Sequence, residues 1–213
     1  MRFRVVFLLM IAFAVNCFAQ EENEHLRLKN DGNAAYRNKD FQNALSIYEA
    51  ALEAWPPDAI IDAATVYAAA DCARRLKDDE KAIIYFTRSL ELDYRSDFSS
   101  FYLASALRSL NREEEMEAIL LVAVEKFQSG EALVQMKKML ATHYLKKGVE
   151  HFNRGGEILR TAASAKPEQF EEITSRANVS FLEAKPWFEK VLEIDPGNEN
   201  AVKSLNDINS RLK

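Results

Sequence analysis

Cysteine is nearly missing from this sequence: of 213 residues, only Cys17 and Cys72 carry a thiol. Cys17 falls in an N-terminal stretch that reads as a removable signal. What remains has no pair from which to close a disulfide, so its stability must come from a buried core. Glycine and proline are scarce, at six and five residues, which argues against many short strands and tight turns and for an all-helical fold. Histidine occurs three times, as His25, His143 and His151. His143 and His151 are eight residues apart, about 80° around a helix and too far along it for a two-histidine metal site of the i, i+4 kind. His151 is expected at a core position. Cys72 has no histidine near it in sequence and reads as a small buried residue. There is no glycine-rich phosphate loop and no serine in a strand-turn-helix context. The expectation is no metal, no cofactor and no catalytic activity.

Long hydrophobic runs are confined to the start. Arg2 and Arg4 precede the apolar run Val5 to Val15, and Cys17-Phe18-Ala19 forms a small-x-small cleavage pattern before Gln20. The run is well short of the roughly 20 residues that span a bilayer, so residues 1–19 are expected to be a cleaved export signal. A lipid anchor on Cys17 fits less well, because Asn16 stands where a small residue belongs. Cleavage would take the net charge from −5 to −7. An acidic balance without clustered Lys and Arg argues against a nucleic-acid partner.

What is present is a repeat. In the stretch His25 to Pro57, Gly32 stands at position 8, Ala44 at 20, Tyr48 at 24, Ala51 at 27 and Pro56 at 32 of a 34-residue unit. Small residues at 8, 20 and 27 let two helices approach, an aromatic at 24 fills the gap between them, and a proline stops the second helix. This resembles the tetratricopeptide repeat (TPR). The resemblance implies a right-handed superhelix of antiparallel helix pairs. A second unit from Ala63 places Ala70, Ala82, Phe86 and Ser89 at 8, 20, 24 and 27. A third begins at Asp97, 34 residues later, with Ala104 at 8, Ala123 at 27 and Met116 replacing the small residue at 20. The acidic runs Asp78-Asp79-Glu80 and Glu113-Glu114-Glu115 open second helices, where the helix dipole favours carboxylates.

The fourth unit is stretched. Tyr144, Gly148 and His151 match positions 4, 8 and 11 counted from Ala141, but the second helix matches only at Ala184, Phe188, Val191 and Pro196, leaving 24 extra residues. They keep helical periodicity: Phe170, Ile173, Ala177, Phe181, Ala184, Phe188 and Val191 recur every three or four residues. Both helices are therefore expected to be lengthened into a long C-terminal coiled hairpin that turns at Ala165 to Glu168, with Phe152 near Phe181 and Gly155-Gly156 near Ala177-Asn178. Two adjacent glycines cost about 2 kcal/mol of helix propensity relative to alanine. Seam packing can outweigh that. Pro186 implies a kink. A capping helix over 198–212 closes the array. The expected organisation is thus a signal over 1–19 and a TPR domain over 20–213, with repeats at about 25–58, 63–96, 97–130 and 141–198 and a helical insertion near 153–178.

In TPR proteins the first helix of each unit lines a concave groove that takes an extended peptide. The resemblance puts Lys29, Asn33, Tyr36 and Arg37 of the first unit there, with Tyr67, Asp71, Arg74 and Arg75 of the second and Phe98, Phe101 and Arg108 of the third. Aromatic and basic residues together suit an acidic or carboxylate-bearing segment. Lys29 and Asn33 match two members of a carboxylate clamp, but Ala68, Phe98 and Tyr102 depart from its remaining members, which argues against a chaperone tail. The resulting expectation is an exported scaffold of the periplasm or cell envelope that binds another protein through the groove or the hairpin. A binding protein for a small ligand, glycan or lipid, is the alternative.

Overall fold

In the computed structural model, which describes residues 24–212, helices account for every regular element except two short 3-10 turns. The signal-like segment 1–19, with Cys17, lies outside the described residues. In chain order the helices are α1 (Glu24–Arg37), α2 (Phe41–Glu53), α3 (Ala63–Leu76), α4 (Asp79–Glu91), α5 (Ser96–Ser109), α6 (Glu113–Lys126), α7 (Glu131–Thr161), α8 (Phe170–Ile194) and α9 (Glu199–Arg211). The chain forms two compact units that divide within α6, one ending at Val122 and the other beginning at Ala123.

In the first unit, consecutive helices from α1 to α5 pack on one another. The small residues decide how closely. Ala44, Ala51, Ala70 and Ala82 are fully buried, and Tyr48 and Phe86 fill the spaces between them. A Cβ on Gly32 would stand 2.7 Å from the Tyr48 ring, so only glycine permits this approach. The short turns between paired helices follow one geometry. Lys39, Lys77 and Asn111 each adopt a left-handed conformation, with φ of 62°, 60° and 57°. All three stand at position 15 of their units. The next residue closes each turn by donating its backbone N–H to a carbonyl five residues back, Asp40 to Ala35, Asp78 to Ala73 and Arg112 to Leu107. This bond satisfies a carbonyl that the ending helix leaves open. Asp40 and Asp78 then cap α2 and α4, accepting from the backbone N–H of Asn43 and Lys81. Met116 is buried at its non-standard position. Its bulk is accommodated inside the core.

In the second unit, α7 and α8 form the long hairpin, and α9 packs along α8. Both Gly155 and Gly156 lie inside α7. The 3-10 turns Ala162–Ser164 and Pro167–Gln169 reverse the chain. The rings of Phe152 and Phe181 meet at 5.3 Å. Gly148 faces Phe188 and Gly155 faces Phe181, each so closely that a Cβ would clash, whereas Gly156 has open space beside it.

Four details differ from the sequence reading. First, α7 begins at Glu131, ten residues before Ala141, because Ala132, Leu133, Met136 and Met139 bury an apolar face ahead of the repeat pattern. Second, Phe170 of the seam is 44% exposed, since it opens α8 where the chain is only just leaving the turn. Third, His151 is only half-buried, with Nδ1 3.1 Å from the Glu183 carboxylate of α8. The buried positions around it are those of Gly148 and Gly155 instead. Fourth, the close approach is made by Gly155 alone and against Phe181, because the side chain of a helical residue, unlike its Cα, reaches across to the preceding turn.

Candidate functional site

Helical spacing assembles the centre of the site on α3. Asp71, Arg74 and Arg75 are related as i, i+3 and i+4, so both guanidiniums reach one carboxylate. Arg74 donates through Nε and Nη2 to Oδ1 of Asp71 at 2.9 and 2.5 Å, and Arg75 donates through Nε to Oδ2 at 2.7 Å. From α1, the Tyr36 hydroxyl donates to the same Oδ2. Asp71 is 6% exposed. Burial alone would raise its pKa, but the hydrogen bonds from Tyr36, Arg75 and Arg74 outweigh it and hold the carboxyl below its usual value. The Tyr36 hydroxyl is pushed up by burial and by its bond to Asp71.

The guanidiniums also face rings. Arg74 lies 4.4 Å from the centroid of Tyr102 on α5, and Arg75 lies 4.8 Å from that of Phe41. Phe98, Phe101 and Tyr102 form a contiguous aromatic group on α5, with Phe98 stacked on Tyr102 at 6.1 Å and Phe101 at 5.2 Å. Tyr67 of α3 packs edge-on against Phe86 and Tyr94. Burial pushes its hydroxyl up to about 12, so it remains a neutral donor at any ordinary pH.

Arg95 was not among the residues singled out from the sequence. It sits in the turn before α5 with φ of 44°, and its guanidinium lies 5.0 Å from both Tyr67 and Phe98. Its side chain is exposed, and among the described residues no carboxylate pairs with it. The repeat pattern assigns no residue to this turn, so an arginine held there over two of the expected groove aromatics escapes it. The left-handed backbone of Arg95 has no signal in the sequence beyond the neighbouring Asp93-Tyr94.

The expected groove residues thus fall into three sets. Tyr36, Asp71, Arg74 and Arg75 form one hydrogen-bonded cluster, and Tyr67, Phe98 and Phe101 belong to the aromatic group linked to it through Tyr102. Lys29 and Asn33 are engaged within the scaffold: Lys29 pairs with Asp62, the cap of α3, at 2.9 Å, and Asn33 accepts from the Tyr48 hydroxyl at 2.8 Å. Arg37 and Arg108 are exposed in the last turns of α1 and α5. Two guanidiniums share one carboxylate at the centre, so the face keeps a positive excess, and Arg95 adds to it.

Paired helices joined by one recurring turn geometry define a helical-hairpin repeat protein. More narrowly, the tetratricopeptide repeat family model matches residues 28–95, so this stretch of the first unit carries tetratricopeptide repeats. A TPR repeats protein from Bacteroides fragilis is similar in structure at 19% identity, over 88% of this chain and 99% of that one, with a TM-score of 0.58. YrrB, described as a TPR protein with an unusual peptide-binding site, is 18% identical over 89% of this chain and 96% of that one, with a TM-score of 0.47. Yeast Tom70 is 20% identical over 88% of this chain and 43% of that one, with a TM-score of 0.47. At these identities the likeness is one of fold. None of the curated proteins matches the sequence.

Proposed function

We propose that this chain is an exported scaffold of the cell envelope that holds an extended, acidic segment of a partner protein on the α1, α3 and α5 face of its first unit. TPR proteins generally act as protein-protein interaction scaffolds, and this fold supports that role. The observation that carries the finer reading is Arg95 over Tyr67 and Phe98. An exposed cation without a carboxylate partner among the described residues, held on two rings near the Arg74–Tyr102 pair, offers both contact area and charge to an incoming carboxylate.

The test is binding of a fluorescent peptide library graded in acidic content. Arg95→Gly removes the guanidinium while relaxing the left-handed backbone, and Phe98→Ala removes a ring. The double variant is expected to lose about tenfold in affinity for the acidic peptides, as for loss of roughly 1.4 kcal/mol, with circular dichroism unchanged. Equal binding by the variant would sink the groove reading. Export is tested apart from it. Expressed with residues 1–19 in place in a bacterial host, the chain is expected in the envelope fraction with Gln20 at its N-terminus by intact mass. An uncleaved cytoplasmic product would remove the envelope from the proposal and leave the groove untouched.

A further inference from the structure

A cavity of about 400 Å³ opens in the second unit between α7 and the turn that joins α8 to α9. Such a volume falls in the range of small-molecule sites. Its wall is apolar, made by Val134, Ala141 and Leu145 of α7 and Ile194 of α8. Val134 is 62% exposed. Lys137 and Lys138 also line it. As neighbours on a helix they project about 100° apart, and so flank the apolar strip on both sides. Both are exposed, and neither has a carboxylate partner among the described residues.

The remaining lining groups decide what the cavity takes. The Thr142 hydroxyl donates to the carbonyl of Lys138 at 2.8 Å. Asn198 caps α9, its Oδ1 accepting from the Ala201 backbone N–H, and donates through Nδ2 to Asp195 at 3.1 Å. The lining hydroxyl and amide are thus already engaged. A peptide would bring an N–H and a carbonyl at every residue, each costly to desolvate against an apolar wall without a partner. An alkyl chain brings none. Asp195 also lines the cavity, so the two amines leave an excess of one positive charge, which matches one negative charge at the end of the chain. The strip from Val134 to Leu145 runs about 16 Å along the helix, enough for a chain of about ten carbons.

We propose that this cavity is a binding site for a linear aliphatic carboxylate of about eight to twelve carbons, with the chain along Val134, Ala141, Leu145 and Ile194 and the carboxylate between Lys137 and Lys138. The site lies wholly in the second unit and goes beyond the groove reading. Neither depends on the other.

The test is isothermal titration of the full chain at low ionic strength with sodium decanoate, decanol, sodium butyrate and an acidic leucine-containing pentapeptide. Decanoate is expected to bind one to one with a Kd of about 100 µM, as its size allows, and decanol and butyrate at least tenfold more weakly. Lys137→Gln with Lys138→Gln, both at exposed positions, is expected to weaken decanoate about tenfold. Val134→Asp, which sets a negative charge on the apolar strip, is expected to do the same. Arg95→Gly is expected to leave it unchanged, which separates this site from the groove. Absence of decanoate binding overturns the proposal. So does decanoate binding that is indifferent to the lysine pair, or tighter binding of the pentapeptide than of decanoate.

Discussion

Replacing Asp71 by alanine is expected to destabilise the first unit by about 2–3 kcal/mol and to lower the melting temperature by roughly 8 °C. The carboxylate is almost fully buried and serves three donors on two helices, Tyr36 of α1 and Arg74 and Arg75 of α3. Its removal leaves the Tyr36 hydroxyl without its acceptor and two guanidiniums facing each other. The arginine side chains are 32% and 41% exposed, so water screens part of that repulsion. The loss is therefore set below the 3–5 kcal/mol typical of a fully buried pair broken on one side. Asn in place of Asp71 keeps an acceptor for Tyr36 and is expected to cost about half as much.

The effect also depends on pH. The carboxyl of folded Asp71 sits below the ordinary value of about 4. Its contribution is complete above about pH 4 and is lost as the pH falls through the lowered folded value. The difference in melting temperature between the native chain and Asp71→Ala is thus expected to be full at pH 6 and to shrink below pH 4. A difference that stays constant down to pH 2.5 would show that the charge plays no part. Binding is expected to move the other way. With its two arginines released, an Asp71→Asn chain should hold acidic peptides more tightly than the native one, and a loss of affinity would mean that Asp71 itself contacts the partner.

Alanine at Gly155 and at Gly156 is expected to act with opposite sign, although the two are neighbours in one helix. At Gly155 the new Cβ would stand 2.6 Å from the Phe181 ring, which is 1% exposed and has nowhere to retreat. Overpacking of this kind costs typically 1–3 kcal/mol, of which the gain in helix propensity returns about 1. A net loss of up to about 2 kcal/mol follows. At Gly156 no atom lies within 4 Å of the new Cβ, so the propensity gain stands alone and stability should rise by up to about 1 kcal/mol. Urea unfolding of the two variants provides the comparison. If both shifted the midpoint the same way, the close seating of Phe181 on α7 would not be the cause.

That contrast marks the limit of what the sequence can say. The all-helical fold and the helix-pair pattern were legible because small residues, aromatics and prolines recur at a fixed spacing, and each has one physical use there. The Gly155-Gly156 pair was legible as a place of close approach, but which glycine is used depends on the axial stagger of α7 and α8. That stagger is set where Phe181 and Phe188 meet α7, and the early start of α7 at Glu131 has no repeat signature. Tyr36, Asp71, Arg74 and Arg75 were placed on one face by the repeat resemblance. Their pairing could not be read, because the i, i+3 and i+4 relations permit several partners and the bond from Tyr36 crosses between helices. Lys29 and Asn33 illustrate the same gap. A clamp-like spelling placed them, but the scaffold holds them through Asp62 and Tyr48.

The seating of large side chains on small ones along the C-terminal hairpin behaves as a two-pin plug. Phe181 and Phe188 are seven residues apart, and so are the glycines that receive them, Gly155 and Gly148. The same interval extends to Ala141 on one side and Ala162 on the other. Of these four rungs only Gly148 and Gly155 lack the Cβ that would meet a ring, so the two phenylalanines engage them together in one way. Sliding α8 by one heptad, about 10.5 Å, would bring Phe188 to Gly155 but set Phe181 against the Cβ of Ala162, which belongs to the turn. The seam therefore sets the stagger of the two helices by itself, and the turn between Ala162 and Gln169 has only to span it. Residues inserted in that turn are expected to loop out without moving one helix along the other.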